Sequence, residues 1–328
     1  MAGPGPVTGD VLIERIGQLE ALSRPLEPDA SERLALREPV VAYAERFLEA
    51  LADLPAYHDT EDLGAGINKS RIGEGPGPIE PVLDLLREHV DGPGLNPASA
   101  GHLAYIPGGG IYTSALGDYL ADVTNRYAGV FFGGPGAVRL ENHLLAWVRE
   151  VVGYPKTALG NHTSCGSLAN MIALATARDA WGLLGKDYDR AVLYLTSQTH
   201  HCITKSLRFL GLGQCVVRQV ALDHRYRLRP DDLAQQIRED RSNGLRPWVV
   251  VASAGSTDVG AVDPLDAIAD VAAEEDLWYH VDGAYGGFFA LTSEGASRLK
   301  GMERSDSLVV DPHKTLFLPY GSGVLLVR

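Results

Sequence analysis

The chain has 328 residues, 45% of them hydrophobic and 22% charged, the texture of a globular protein with ample material for a core. Its formal net charge of −13 argues against a nucleic-acid binder, which would carry a basic face. Cys165, Cys202 and Cys215 form neither a disulfide framework nor a CxxC pair, the opening MAGPGPVTGD lacks the regions of a signal peptide, and no apolar run reaches the roughly 18 residues of a membrane helix, so reduced thiols in the cytoplasm are expected.

Residues 1–10 are rich in Gly and Pro and read as loose. From Val11 to about Leu54 apolar residues recur at helical spacing, and IEPVLDLLREHV (79–90) predicts a further helix with Pro81 near its start. A Gly, Pro and charge-rich loop (56–78) lies between them. Residues 1–100 therefore read as a helical segment, and 101–328 as a separate α/β domain.

In that second stretch ALGDYLADVTNRY, VRLENHLLAWVREVVG and GSLANMIALATARDAWGLLG predict helices. The segments AVLYLTS (191–197), CVVRQVAL (215–222), WVVVASAG (248–255), LWYHVDG (277–283), SLVVDP (307–312) and GVLLVR (323–328) are short, β-branched and mostly apolar, the mark of strands buried on both faces. Helical stretches such as PDDLAQQIRED and DPLDAIADVAAEED separate several of them, which implies a largely parallel sheet. In such sheets ligands bind at the carboxyl ends of the strands.

The residues that carry chemistry fall at those ends. Lys314 follows SLVVDPH, and a lysine shielded there can serve as a Schiff-base amine; alone it also reads as a surface lysine after a turn. Asp282 ends HVD, where a carboxylate can pair with a pyridinium nitrogen or merely cap a helix. Small residues around Ser164, Gly166 and Ser167 open a long helix, whose N-terminus favours a phosphate; an ordinary N-cap has the same appearance. His200, in SQTHHC, can stack on a flat ring. It shows no metal spacing with His201 and Cys202, so no metal site is expected. Thr257, in SAGSTD, can bond a cofactor, orient Asp282 or cap the next helix. A nicotinamide-binding domain would need GxGxxG straight after an early strand, and the sequence has none.

In order the motifs run TSCGSLAN, SQTHH, SAGSTDVGAVDP, HVDGAYGG and DPHK. Together with HLAYIPGGG (102–110), this set resembles the group II pyridoxal-dependent decarboxylases, which act on aromatic amino acids, glutamate or histidine. The resemblance implies the aspartate-aminotransferase-like fold (fold type I), with a mainly parallel seven-stranded sheet, and pyridoxal 5'-phosphate as cofactor. It implies that Lys314 holds the cofactor, Asp282 pairs with its ring nitrogen and His200 stacks on its face. Ser167 and Gly166, with Ser164, would hold the phosphate, Thr257 and Ala284 would line the ring, and His313 would sit beside the lysine. Tyr105 and Pro107 would lie near the substrate mouth. A homodimer with its site at the subunit interface is implied too. The expected reaction is α-decarboxylation of an L-amino acid to an amine. Aminotransferases, C–C lyases and aldehyde synthases share the lysine and the aspartate, and a non-catalytic fragment is a further alternative. The family continues for over a hundred residues past the position of Arg328, so the small C-terminal domain is expected to be missing here. Thr315 stands where the family often has an aromatic, and Asp311 where many members have asparagine.

Overall fold

The computed structural model describes residues 9–71, 73, 75, 77–103, 105–106 and 108–328. Contacts divide the chain into two compact units, Met1–His102 and Leu103–Arg328.

The first unit holds helices α1 (Gly9–Ser23), α2 (Ala30–Ala50) and α3 (Ile79–Leu86), and a short antiparallel ribbon of β1 (Tyr57–His58) with β2 (Gly94–Leu95). A capping box starts α2: the Asp29 carboxylate accepts the Ser31 and Glu32 N–H groups, while Glu32 accepts the Asp29 N–H. Yet α1 and α2 bury none of their residues, and Ile13 and Leu22 stay 70% and 75% exposed.

The second unit opens with α4 (Tyr112–Thr124) and α5 (Pro135–Val151). Strands and helices then alternate: β3 (Leu159–Thr163), α6 (Gly166–Ala180), β4 (Ala191–Leu195), α7 (Cys202–Phe209), β5 (Val216–Gln219), α8 (Pro230–Ser242), β6 (Arg246–Ser253), α9 (Leu265–Glu274) and β7 (Trp278–Asp282). The chain continues through α10 (Ser293–Arg298), β8 (Ser307–Val310), the single turn α11 (Pro312–Thr315) and β9 (Gly323–Val327). The sheet order is β3-β9-β8-β7-β6-β4-β5, and β9 alone runs against the rest.

The core follows from the two-residue period of the strands. Val192, Tyr194, Val250, Ala252, Tyr279 and Val281 face one side, where they pack with Leu233 and Ile237 of α8 and Ile268 of α9. Leu193, Leu195, Val249 and Val251 face the other, against Leu174 of α6 and Ile203 of α7. Helices on both faces explain why these strands are apolar throughout.

One expectation needs correction at an edge of the sheet, and the other edge adds a strand. CVVRQVAL does not form a strand buried on both faces: β5 is the last strand, and its residues alternate between half-buried and exposed. Its half-buried Arg218 is fixed by the buried Asp240 of α8, at 2.6 Å. At the other edge lies β3, with the sequence LGNHT, which is not among the strands read from the sequence. It becomes a strand because β9 pairs with it over five residues, Leu159 to Val327 through Thr163 to Gly323.

Candidate active site

Because β9 alone is reversed, the carboxyl ends of β3, β4, β6, β7 and β8 share one edge of the sheet. The loops leaving those ends gather Gly166, Ser167, His200, Thr257, Asp282, Ala284 and Lys314 around one pocket. Those residues are spread over about half of the chain, so only the sheet brings them together. Of the other expected site residues, Ser164, Tyr105 and His313 are absent from the pocket wall. Tyr105 is 75% exposed, with a positive φ of 64°. His313 is buried, its Nδ1 on the Ser322 carbonyl and its ring 5.2 Å from that of Tyr320. Pro107 lies outside the described residues.

Asp282 ends β7 with 8% exposure. Its Oδ1 accepts the Ala284 N–H at 3.1 Å, and its Oδ2 accepts the Asn170 amide at 3.2 Å. Thr257 therefore does not orient it, as one sequence reading had it; Asn170, one turn into α6, does. Lys314 sits on α11 with Nζ 3.1 Å from Asp311 Oδ2. The same Asp311 oxygen accepts the Gly166 N–H at 3.1 Å, and Oδ1 of Asp311 is buried without a partner. Burial pushes the Asp311 carboxyl above its ordinary range, and Lys314 opposes this. Burial also pulls His200 below the usual imidazole range, against the nearby Asp282, which keeps the ring neutral at pH 7.

At the phosphate end, α6 starts at Gly166 with no side-chain cap on its N-cap residue, Cys165. A Cβ at Gly166 would stand 2.7 Å from Asp311 Oδ2 and 3.1 Å from the Ala284 Cβ, so glycine alone lets the helix start approach the strand ends this closely. With the Gly166 N–H taken by Asp311, the N–H groups that follow in the first turn and the dipole of a fifteen-residue helix suit an anion.

The pocket has walls that the sequence did not announce. Asn170, Gln198, Cys202, Ser253, Gly255, Ser256 and Tyr285 complete it. Asn170 is four residues beyond Gly166, one helical turn, and that spacing could have found it. Gln198 Oε1 is buried with no partner, an acceptor left for whatever fills the pocket. Burial raises the Cys202 thiol to about 12, so it is no thiolate. Among the described residues no group of three His, Cys, Asp or Glu side chains converges to hold a metal ion.

An anion-binding helix start, an amine and a buried carboxylate around one slot form the site of an enzyme built for a flat, phosphorylated pyridine cofactor. Residues 95–328 match the pyridoxal-dependent decarboxylase conserved domain, and the chain belongs to that family. Its cofactor is pyridoxal phosphate, and the helix start, amine, carboxylate and unpartnered Gln198 fit that group. The chain is 38% identical over 240 residues to the aromatic-L-amino-acid decarboxylase of Bacillus atrophaeus, covering 73% of this chain and 48% of that protein. It is 32% identical to the 4-hydroxyphenylacetaldehyde synthase of Rhodiola rosea, covering 73% of this chain and 51% of that one. The chain thus spans about half the length of these curated relatives. A crystal structure of Oryza sativa TDC with PLP and tryptamine superposes with a TM-score of 0.85 at 27% identity, over 92% of this chain and 67% of that one. These neighbours bear out the fold type I architecture expected from the motifs.

Proposed function

We propose that this chain forms the cofactor-binding part of an enzyme that decarboxylates an L-amino acid to an amine and CO₂. The observation that carries the reading is the meeting of Lys314 and Asp282 in one pocket lined by His200. Bound pyridoxal phosphate supplies a sink for the electron pair left on Cα when CO₂ departs. Lys314 would hold the cofactor through Nζ and, once the substrate amine displaces it, stay close enough to return. Asp282 would hold a proton on the ring nitrogen, and its burial strengthens that pairing. The neutral imidazole of His200 would lie against the ring face. Gly166 and Ser167, with Ser164 adjacent, would take the phosphate; Thr257 and Ala284 would flank the ring. His313 braces the turn that carries Lys314, and Tyr105 would belong to the substrate mouth.

The molecule acts as a homodimer with the site near the subunit interface, a reading supported by the apolar side chains that α1 and α2 leave exposed. Three unpaired cysteines favour the reducing cytoplasm. No helix among the described residues is long and apolar enough to cross a membrane. Identity to an aldehyde synthase favours one second reading, in which the same lysine and aspartate serve a decarboxylation coupled to oxidation of the amine carbon, with dioxygen taking the two electrons and ammonia leaving.

The test is to load the chain with pyridoxal phosphate, reduce with borohydride, map the labelled peptide, and follow CO₂ and product from a panel of L-amino acids. Label on Lys314 with stoichiometric CO₂ and amine is expected. Aldehyde in place of amine selects the second reading, and release of no CO₂ from any substrate overturns the assignment of catalysis to this chain.

A further inference from the structure

A line of polar side chains leads away from Asp282 into the interior. Trp278, His280 and Asp282 alternate along β7 and so share one face, while Ser307 on β8 is the register partner of His280. Trp278 Nε1 lies 2.9 Å from Ser307 Oγ, and Ser307 Oγ lies 2.8 Å from His280 Nδ1. His280 Nε2 lies 2.7 Å from Asn170 Oδ1, and Asn170 Nδ2 lies 3.2 Å from Asp282 Oδ2. His280 and Ser307 are fully buried, and Asn170 is 1% exposed.

An indole N–H can only donate, so Ser307 Oγ accepts from Trp278 and has its own proton free for His280 Nδ1. Burial takes the His280 pKa down to about 4, so near pH 7 the ring carries a single proton. Ser307 Oγ could also accept from Nδ1, so the Asp282 end selects the direction: with Nδ1 accepting, the ring proton is on Nε2 and goes to Asn170 Oδ1, which leaves the Asn170 amide nitrogen for Asp282. The second N–H of that amide reaches Cys202 Sγ at 3.5 Å. The opposite direction would place a carboxamide oxygen against a carboxylate oxygen, which is tolerable only if Asp282 is protonated.

We infer that His280 is a positioning residue: held in its Nε2–H tautomer by Ser307 and Trp278, it turns Asn170 to donate to Asp282 and so holds that carboxylate aimed at the cofactor's ring nitrogen. This rests on the reading of Asp282 as the partner of that nitrogen. It assigns a function to HVD as a unit: the histidine two residues before the aspartate sets the aspartate's orientation.

The test uses nitrogen-15 NMR on the full chain in two labelling schemes. In the cofactor-free chain with labelled histidine, His280 should be neutral with its proton on Nε2 at pH 7; a proton on Nδ1, or a charged ring, overturns the relay whatever the cofactor does. With ring-labelled pyridoxal phosphate bound, the wild-type ring nitrogen should be protonated. Asn170→Leu and Ser307→Ala should shift it toward the unprotonated form and weaken cofactor binding roughly tenfold, the scale of one hydrogen bond to a charged group. Ser307→Thr, which keeps the hydroxyl, should restore the wild-type shift. Should Asn170→Leu fail to fold, the two Ser307 variants decide. An unchanged ring shift in Ser307→Ala overturns the coupling. Asp282→Ala separates the two levels: if it leaves the ring nitrogen protonated, the assignment of Asp282 itself has failed, not the relay.

Discussion

Lys314 and Asp311 form a pair with unequal surroundings: the lysine is partly open to the pocket, and the carboxylate is 1% exposed. Removing the lysine leaves a buried acid, which can take up a proton and so limit the cost of the lost partner. Lys314→Ala should therefore remain folded, with a loss of roughly 1–3 kcal/mol in chemical denaturation. It should lose all borohydride-fixed cofactor. A reducible adduct surviving in that variant would show that another lysine carries the cofactor.

His280 also makes a pH prediction. Its folded pKa is lowered from 6.5 to about 4, so the unfolded chain binds the extra proton more readily between those values. The histidine's contribution is present above pH 6.5 and is lost as pH falls through 4; the gap corresponds to roughly 3 kcal/mol at most. Asp263 acts in the opposite sense. Burial raises its carboxyl from 3.8 to about 6, so its contribution is full below 3.8 and is lost as pH rises through 6. The two partly cancel in the wild type. The observable is the difference in urea midpoint between wild type and His280→Gln, which should shrink as pH falls from 6.5 to 4.5. A constant difference would mean that His280 is not held neutral.

At the scale of elements, the strand-end loops are fixed by close backbone packing. Gly286 follows the Asp282–Tyr285 stretch, and a Cβ there would stand 2.0 Å from the Ala254 carbonyl oxygen at the end of β6. Gly286→Ala must part the β6 and β7 loops, which carry Ser253, Thr257 and Asp282. A fall in cofactor affinity of tenfold or more is expected by fluorescence titration, and wild-type affinity would show that these loops tolerate separation. Leu193 is buried at the centre of β4, so Leu193→Ala should cost about 2–5 kcal/mol through its cavity. In the cold that variant should still bind the cofactor, because β4 carries the site only through its end.

At the scale of the whole molecule, α1 exposes Val11, Leu12, Ile13, Ile16, Leu19 and Leu22, and such a contiguous apolar surface seeks a partner. Light scattering should give twice the mass of one chain. Ile13→Asp with Leu22→Asp should shift the equilibrium to monomer; a wild-type chain that stays monomeric at micromolar concentration would remove the homodimer from the proposed function.

The sequence determined by itself whatever is written in local order. The apolar strands, the helices between them, and the lysine and aspartate at strand ends are legible because the two-residue and 3.6-residue periods and the motif order are properties of neighbouring residues. Asn170, Gln198 and Tyr285 as pocket walls, Asp311 as the partner of Lys314, and the line of polar contacts from Trp278 to Asp282 were decided only by the tertiary structure. Each depends on which strands lie side by side and which helix crosses them, and LGNHT became a strand only because β9 was there to pair with it. A hydrogen bond between residues 110 apart, such as His280 to Asn170, leaves no trace in the spacing of either segment, since sheet order and helix packing, not local propensity, bring its two ends within 2.7 Å.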